Sequence, residues 1–168
     1  MRPLIRWARG SSSAFRCDWL AVTWPADPIQ PPFLIHATAV SLADKGLLIL
    51  GASGRGKSAL ALRLIGMGAK LVADDQVLIA AGPQGPVARA AVGLEGLIEA
   101  RHVGILRLQA NDSTVLHLIV DLDQTETERL PPKRSRELTG FALEVVHGSQ
   151  IDHLAPALIC YLMGERQG

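Results

Sequence analysis

Apolar residues along this chain gather in short runs set off by glycine, proline and polar clusters, the rhythm of alternating strands and helices. "LIHATAVSL" (34–42) alternates imperfectly and predicts a strand. "LADKG" (42–46) reads as a turn around Lys45 and Gly46, and "LLIL" (47–50) as a short buried strand entering a glycine-rich loop at Gly51. A helix is predicted to start at Lys57 and Ser58, with Leu60, Leu62, Leu64 and Ile65 supplying its apolar surface, and to stop at Gly66 and Gly68. "KLVADD" (70–75) is then a second strand. A strand-helix-strand crossover makes the two strands parallel and right-handed, so both following loops fall on one edge of the sheet.

Further along, "QVLIAAG" (76–82) reads as continuing strand and "PQGP" (83–86) as a turn. "GLIEARHVGILRL" (96–108) is a mixed segment with a strand at its end, and "STVLHLIVDLD" (113–123) is the clearest strand of the second half. Residues 124–139 form a polar excursion, and "IDHLAPALICYLMGE" (151–165) predicts a closing helix. The fold class expected is α/β, one domain over 34–168 built on a central sheet. Residues 1–33 are expected to be an N-terminal extension, or a first strand and linker, with the proline cluster "PADPIQPPF" as the connection.

Composition narrows the partners. Nearly half of the residues are apolar and a fifth are charged, with a net charge of +1, so no overall field points to a nucleic acid or an anionic membrane. Cys17 and Cys160 have no metal-ligand spacing, which fits a reducing cytoplasm. The longest apolar runs fall short of the roughly 20 residues that cross a bilayer. The first 24 residues are rich in Arg and Ser, like a transit peptide, but Arg16 and Asp18 interrupt any secretory apolar segment; an irregular extension is the expectation.

The glycine loop carries the chemistry. Gly51, Ala52, Ser53, Gly54, Arg55, Gly56, Lys57 and Ser58 fit G-x-x-x-x-G-K-[ST] between a strand and a helix. Glycines let the backbone N–H groups turn inward onto phosphate oxygens, and the helix N-terminus adds its positive end. Lys57 is expected to reach the β- and γ-phosphates and the Ser58 hydroxyl to bind Mg²⁺. Arg55 stands at a variable position of the motif and is expected mainly to meet solvent. Asp74 and Asp75 should lie at the same sheet edge. One carboxylate suits Mg²⁺, and the other, pointing elsewhere, could accept a proton from an attacking hydroxyl.

Together "GASGRGKSALALRLIGMGAKLVADDQVLI" resembles the catalytic domain of bacterial HPr kinase/phosphorylase, in which a P-loop is followed after one helix by "VADD". Upstream, His36 in "LIHATAV" matches the family's catalytic histidine. Downstream, "LIEARHVGI" is similar to the signature "LEIRGLGI", placing Glu99 at its metal-binding glutamate, Arg101 at its arginine and Gly104 within the signature. Arg129 in "ERL" matches the catalytic arginine.

The resemblance implies a P-loop fold like the phosphoenolpyruvate carboxykinase core, hexameric assembly, and an ATP- and Mg²⁺-dependent kinase acting on a serine of the phosphocarrier HPr. It also implies reversal by phosphorolysis. Asp75 would be the base, and the acid in reverse, assisted by His36; Lys57 and Arg129 would complete the catalytic set, and Ser58, Asp74 and Glu99 would surround the metal.

Three departures stand out: the family's N-terminal domain is not matched, Ala100, His102 and Val103 alter the signature, and no "PVRPGRN"-like stretch is recognisable near the C-terminus. Kinase activity is therefore the firmer expectation. A P-loop kinase for a small molecule, or a nucleotide-binding regulatory module without catalysis, remains open.

His102, His117, His147 and His153 lack ligand spacing and are expected to be structural. "RLPPKRSR" (129–136) is a solvated loop or a contact for an acidic partner. The terminal helix is expected to pack on the core or on a neighbouring subunit.

Overall fold

The structure, a computed structural model, describes residues 32–149 and 151–164. The extension expected over 1–33 lies almost wholly outside the described residues.

The chain enters as β1 (Phe33–His36) and β2 (Thr38–Leu42), so the single strand expected at 34–42 is broken at Ala37. β3 (Lys45–Leu50) pairs antiparallel with β2, Leu42 facing Lys45. The turn therefore falls on Ala43 and Asp44, not on Lys45 and Gly46. Both turn residues have positive φ, 47° and 63°, the geometry of a type I′ hairpin whose twist matches the strands it joins.

After the glycine loop, α1 (Lys57–Gly66) runs to the predicted stop. Its end is closed by Ala69 N–H on Leu64 C=O (3.0 Å) and Gly68 N–H on Ile65 C=O (3.0 Å), with Gly68 at φ 103°. β4 (Lys70–Ala73) is parallel to β3, as the crossover demands, but does not pair with it: β2 lies between, antiparallel to both. The shared edge survives this insertion because β3 and β4 still end on the same side.

β5 (Gln76–Gly82) is not a continuation of β4. It breaks away at Asp75 to pair with β1 and with β6 (Gly85–Ala90). β7 (Leu97–Ala100) and β8 (Gly104–Arg107) form a separate hairpin. β9 (Thr114–Thr125), the longest strand among the described residues, pairs parallel with β3. The supposed polar excursion contains a strand, β10 (Arg134–Leu138), which forms a hairpin with β11 (Phe141–Ser149). β11 in turn lies parallel to β9. The ion pairs of β10 explain why so polar a stretch is ordered: Arg134 meets Glu126 at 2.5 Å and Arg136 meets Asp121 at 3.6 Å. Helix α2 (Leu154–Met163) closes the described chain as expected.

Among the described residues the main sheet has nine strands, and both of its faces are buried. Leu47 and Ile49 of β3, with Leu118 and Val120 of β9, pack against Leu60 and Leu64 of α1 and Leu154, Leu158 and Leu162 of α2. Leu48, Val72, Val77, Ile79, Leu116, Ile119 and Val145 fill the other face. Burial on both sides is why "LLIL" reads as a continuous apolar run rather than an alternation. The rigid β3–β9 pair holds the glycine loop at its end.

Candidate active site

The loop between β3 and α1 depends on glycine for its path. Gly54 and Gly56 have φ of 84° and 91°, yet a Cβ at either would meet nothing within 4 Å. Backbone conformation, not crowding, requires glycine there. Among the described residues no side chain caps α1, and no acidic residue stands in its first turn, so its N–H groups can take an anion.

Lys57, the first residue of α1, is only 6% exposed. Its ammonium donates to Gly51 C=O (2.8 Å), Ala52 C=O (3.2 Å) and His36 Nε2 (2.7 Å). Burial pushes the amine below the ordinary lysine value, while the Asp74, Asp123 and Asp75 carboxylates pull it back up. An ammonium has no lone pair, so His36 Nε2 is the acceptor, and the proton of the neutral ring belongs on Nδ1. Nδ1 lies 3.0 Å from Asp75 Oδ1. Lysine, histidine and aspartate thus form one hydrogen-bonded chain.

The two aspartates separate at the end of β4. Asp75 takes φ 67°, a left-handed conformation that Asp tolerates, and Gln76 N–H closes the turn on Asp74 C=O at 2.8 Å. Asp74 turns inward and is 5% exposed. Its carboxylate accepts from Thr38 Oγ1 (2.7 Å), Ser58 Oγ (2.9 and 3.1 Å) and the Glu99 N–H (3.1 Å). The Asp75 side chain, 63% exposed, faces out beside His36. Adjacent carboxylates therefore occupy different environments.

Lys57, Ser58, His36, Asp74 and Asp75 are brought together. The Glu99 amide joins them while its side chain is exposed; Arg101 is exposed in the β7–β8 turn, Gly104 is exposed at the start of β8, and Arg129 is exposed in the loop after β9.

Two participants were not foreseen. Thr38, fully buried, holds Asp74. Asp123, near the end of β9, accepts from Ala52 N–H (2.9 and 3.1 Å) and from Arg55 Nε (2.9 Å). Arg55 is thus paired rather than simply solvated. The sequence signal for Asp123 was present: an acidic strand end, "DLD", on a strand running parallel to the one that feeds the loop.

Whether Mg²⁺ fits can be judged from the donors. Among the described residues no three His, Cys, Asp or Glu side chains converge into a metal cage. Asp74 and Ser58 supply hard oxygens beside the phosphate cradle. Mg²⁺ characteristically binds through one or two carboxylates, substrate phosphates and retained waters, so this sparse set fits it.

The comparisons with known proteins follow the same geometry. The family model for the HPr serine kinase C-terminal domain matches residues 29–145, most of the chain. The chain belongs to that family. Relatives include the HPr kinase/phosphorylase of Neisseria meningitidis, 36% identical over 101 residues, covering 55% of this chain and 32% of that protein. The HPr kinase/phosphorylase of Cupriavidus metallidurans is 37% identical over 112 residues, covering 60% and 35%. The chain thus spans about a third of the length of these relatives. The solved structure of the Hpr(Ser) kinase/phosphatase from Coxiella burnetii superposes with a TM-score of 0.67 at 20% identity, covering 78% of this chain and 88% of that one. The α/β P-loop fold expected from the sequence is the family's.

Proposed function

We propose that this chain is an ATP- and Mg²⁺-dependent protein-serine kinase acting on an HPr-type phosphocarrier in the cytoplasm. The observation that carries the reading is the split aspartate pair: Asp74 buried on Ser58, Asp75 exposed and tied to His36. The loop N–H groups and Lys57 would take the triphosphate. Asp74 and Ser58, with Glu99 able to approach from its hairpin, would hold Mg²⁺, which when bound neutralises charge on the phosphates. Asp75 would accept the proton of the incoming serine hydroxyl, and in the reverse, phosphorolytic direction would return it. Arg129 would contribute from the loop after β9, and Arg101 from the signature hairpin. A hexamer is the assembly this reading carries.

The exposure of Asp75 favours a protein substrate over a small molecule, since a protruding protein hydroxyl can reach an open carboxylate without an enclosing pocket. The test is incubation with γ-labelled ATP, Mg²⁺ and an HPr-type protein from the same organism. Label on an HPr serine is expected. Nucleotide binding with HPr unlabelled and a small molecule phosphorylated would overturn the substrate assignment, and binding without any transfer would leave a regulatory module.

A further inference from the structure

The peptide that opens the phosphate loop, between Gly51 and Ala52, is gripped at both ends. In a trans peptide the C=O and N–H point opposite ways. Here the Gly51 oxygen accepts from the Lys57 ammonium at 2.8 Å, while the Ala52 N–H donates to both Asp123 oxygens, at 2.9 and 3.1 Å. A planar unit held in this way cannot rotate without breaking one of its bonds. Asp123 is itself fixed, since its own N–H donates to Oδ1 of the buried Asp121 at 2.9 Å. Contact is tight beside the clamp too: a Cβ on Gly51 would come 3.1 Å from Leu122 Cβ.

A carboxylate is a costly anchor beside a site for phosphates. With an anion already on the Ala52 N–H, phosphate oxygens are received further along the loop, at the N-terminus of α1, and the fixed charge repels them. That charge is felt within the cradle, where Asp123 is among the carboxylates that pull Lys57 back toward the ordinary lysine value. Arg55 answers it. Its Nε donates to Asp123 Oδ1 at 2.9 Å, and because Arg55 stands in the loop, the counter-charge stays with the anchor. With side chains 53% and 38% exposed, such an ion pair adds little to folding stability. Its effect belongs to binding.

We propose that Asp123 is a positioning residue for the phosphoryl donor: with Lys57 it clamps the Gly51–Ala52 peptide so that the loop is shaped before nucleotide arrives, and Arg55 offsets its charge so that the phosphates can approach. The proposal rests on the reading of this loop as the nucleotide site. Bond and charge then act on affinity in opposite directions. The bond favours binding, because the ligand need not order the loop, and the charge opposes it. Asparagine separates the two, since its amide oxygen accepts the Ala52 N–H without a charge.

The test is calorimetric titration of the intact chain with Mg²⁺ and the non-hydrolysable analogue AMP-PNP. Asp123→Ala is expected to raise Kd at least about tenfold, the size of one hydrogen bond to a charged group. Asp123→Asn, which keeps the acceptor and frees Arg55, should bind at least as tightly as wild type. Arg55→Ala leaves the carboxylate without its counter-charge and should raise Kd about two- to fivefold at low salt. That loss should vanish near 1 M salt, where the screening length is about 3 Å. Combining Arg55→Ala with Asp123→Asn should bring Kd back toward wild type. Thermal midpoints of all the variants are expected within about 4 °C of wild type, as for surface changes. Wild-type affinity in Asp123→Ala, Asp123→Asn binding as weakly as Asp123→Ala, an Arg55→Ala loss indifferent to salt, or midpoints that fall in step with affinity would each overturn this proposal alone. Failure of the wild type to bind the analogue overturns the kinase reading and this proposal with it, whereas binding without any labelling of HPr overturns only the kinase reading.

Discussion

At the scale of single residues, the site divides its labour by burial. Asp74 has its oxygens engaged by two hydroxyls and an amide. Asp75 is open on one side and held by His36 on the other. Removing the charge of Asp75 should therefore stop proton acceptance without disturbing the cradle: Asp75→Asn is expected to lose HPr phosphorylation by at least about 10²-fold, the lower range for a general base. Its nucleotide Kd, read by fluorescence titration, should stay within about twofold of wild type, because no phosphate-binding donor is changed. Equal activity in the variant would remove Asp75 from the base role. Thr38 invites a paired experiment. Thr38→Val deletes a donor to a buried carboxylate and is expected to cost about 1–3 kcal/mol in urea unfolding. It should also weaken the Mg²⁺ dependence of nucleotide binding. Thr38→Ser keeps the donor and removes one methyl, about 0.8 kcal/mol of burial, and should restore the Mg²⁺ dependence. Equal behaviour of the two variants would mean that Thr38 only fills space.

At the scale of elements, the hairpin between β2 and β3 shows what a sequence pattern conceals. Ala43 and Asp44 occupy the two central positions of a two-residue turn, both at positive φ, and Ala is a poor occupant there. Gly46 drew attention as the apparent turn residue, but it lies within β3, where Thr114 and Val115 press against it. Placing Ala43→Asn and Asp44→Gly together supplies the preferred type I′ pair and is expected to stabilise the fold by roughly 1 kcal/mol. Thermal unfolding checks this, with nucleotide affinity unchanged because the turn lies at the opposite end of β3 from the loop. Stability that falls would mean the Asp44 side chain contributes to the turn.

The glycine loop, α1 with its glycine stop and the aspartate pair were legible because each is a local signal read over a few residues. β2 between β3 and β4, and the departure of β5 at Asp75, were not. Both are decisions about partners distant in sequence, and "HATAV" carries no mark of which strands flank it. β10 was hidden for a related reason: its polarity reflects ion pairs to Glu126 and Asp121 that exist only after folding. Thr38 and Asp123 belong to the same class, since a hydroxyl or carboxylate acquires its role from what the sheet places beside it.

At the scale of the whole molecule, β9 is the seam. Its first residues, Thr114 and Val115, meet β6, its middle pairs with β3 and β11, and Asp123 near its end braces the phosphate loop. Gly46 faces this seam where the β6 and β3 pairings converge. A Cβ there would come 2.5 Å from the Val115 carbonyl oxygen and 2.6 Å from Thr114 Cγ2. The methyl can move aside, whereas the carbonyl belongs to the strand and can retreat only if the backbones part. Gly46→Ala is therefore expected to destabilise the fold by about 1–3 kcal/mol, the usual cost of overpacking, and the loss should appear as one cooperative transition because the seam joins both layers. Combining it with Thr114→Ser, which removes Cγ2 but not the backbone contact, should restore only part of the stability. Full recovery in the double variant, measured by urea unfolding as a double-mutant cycle, would locate the clash in the side chain and show the two strands free to adjust.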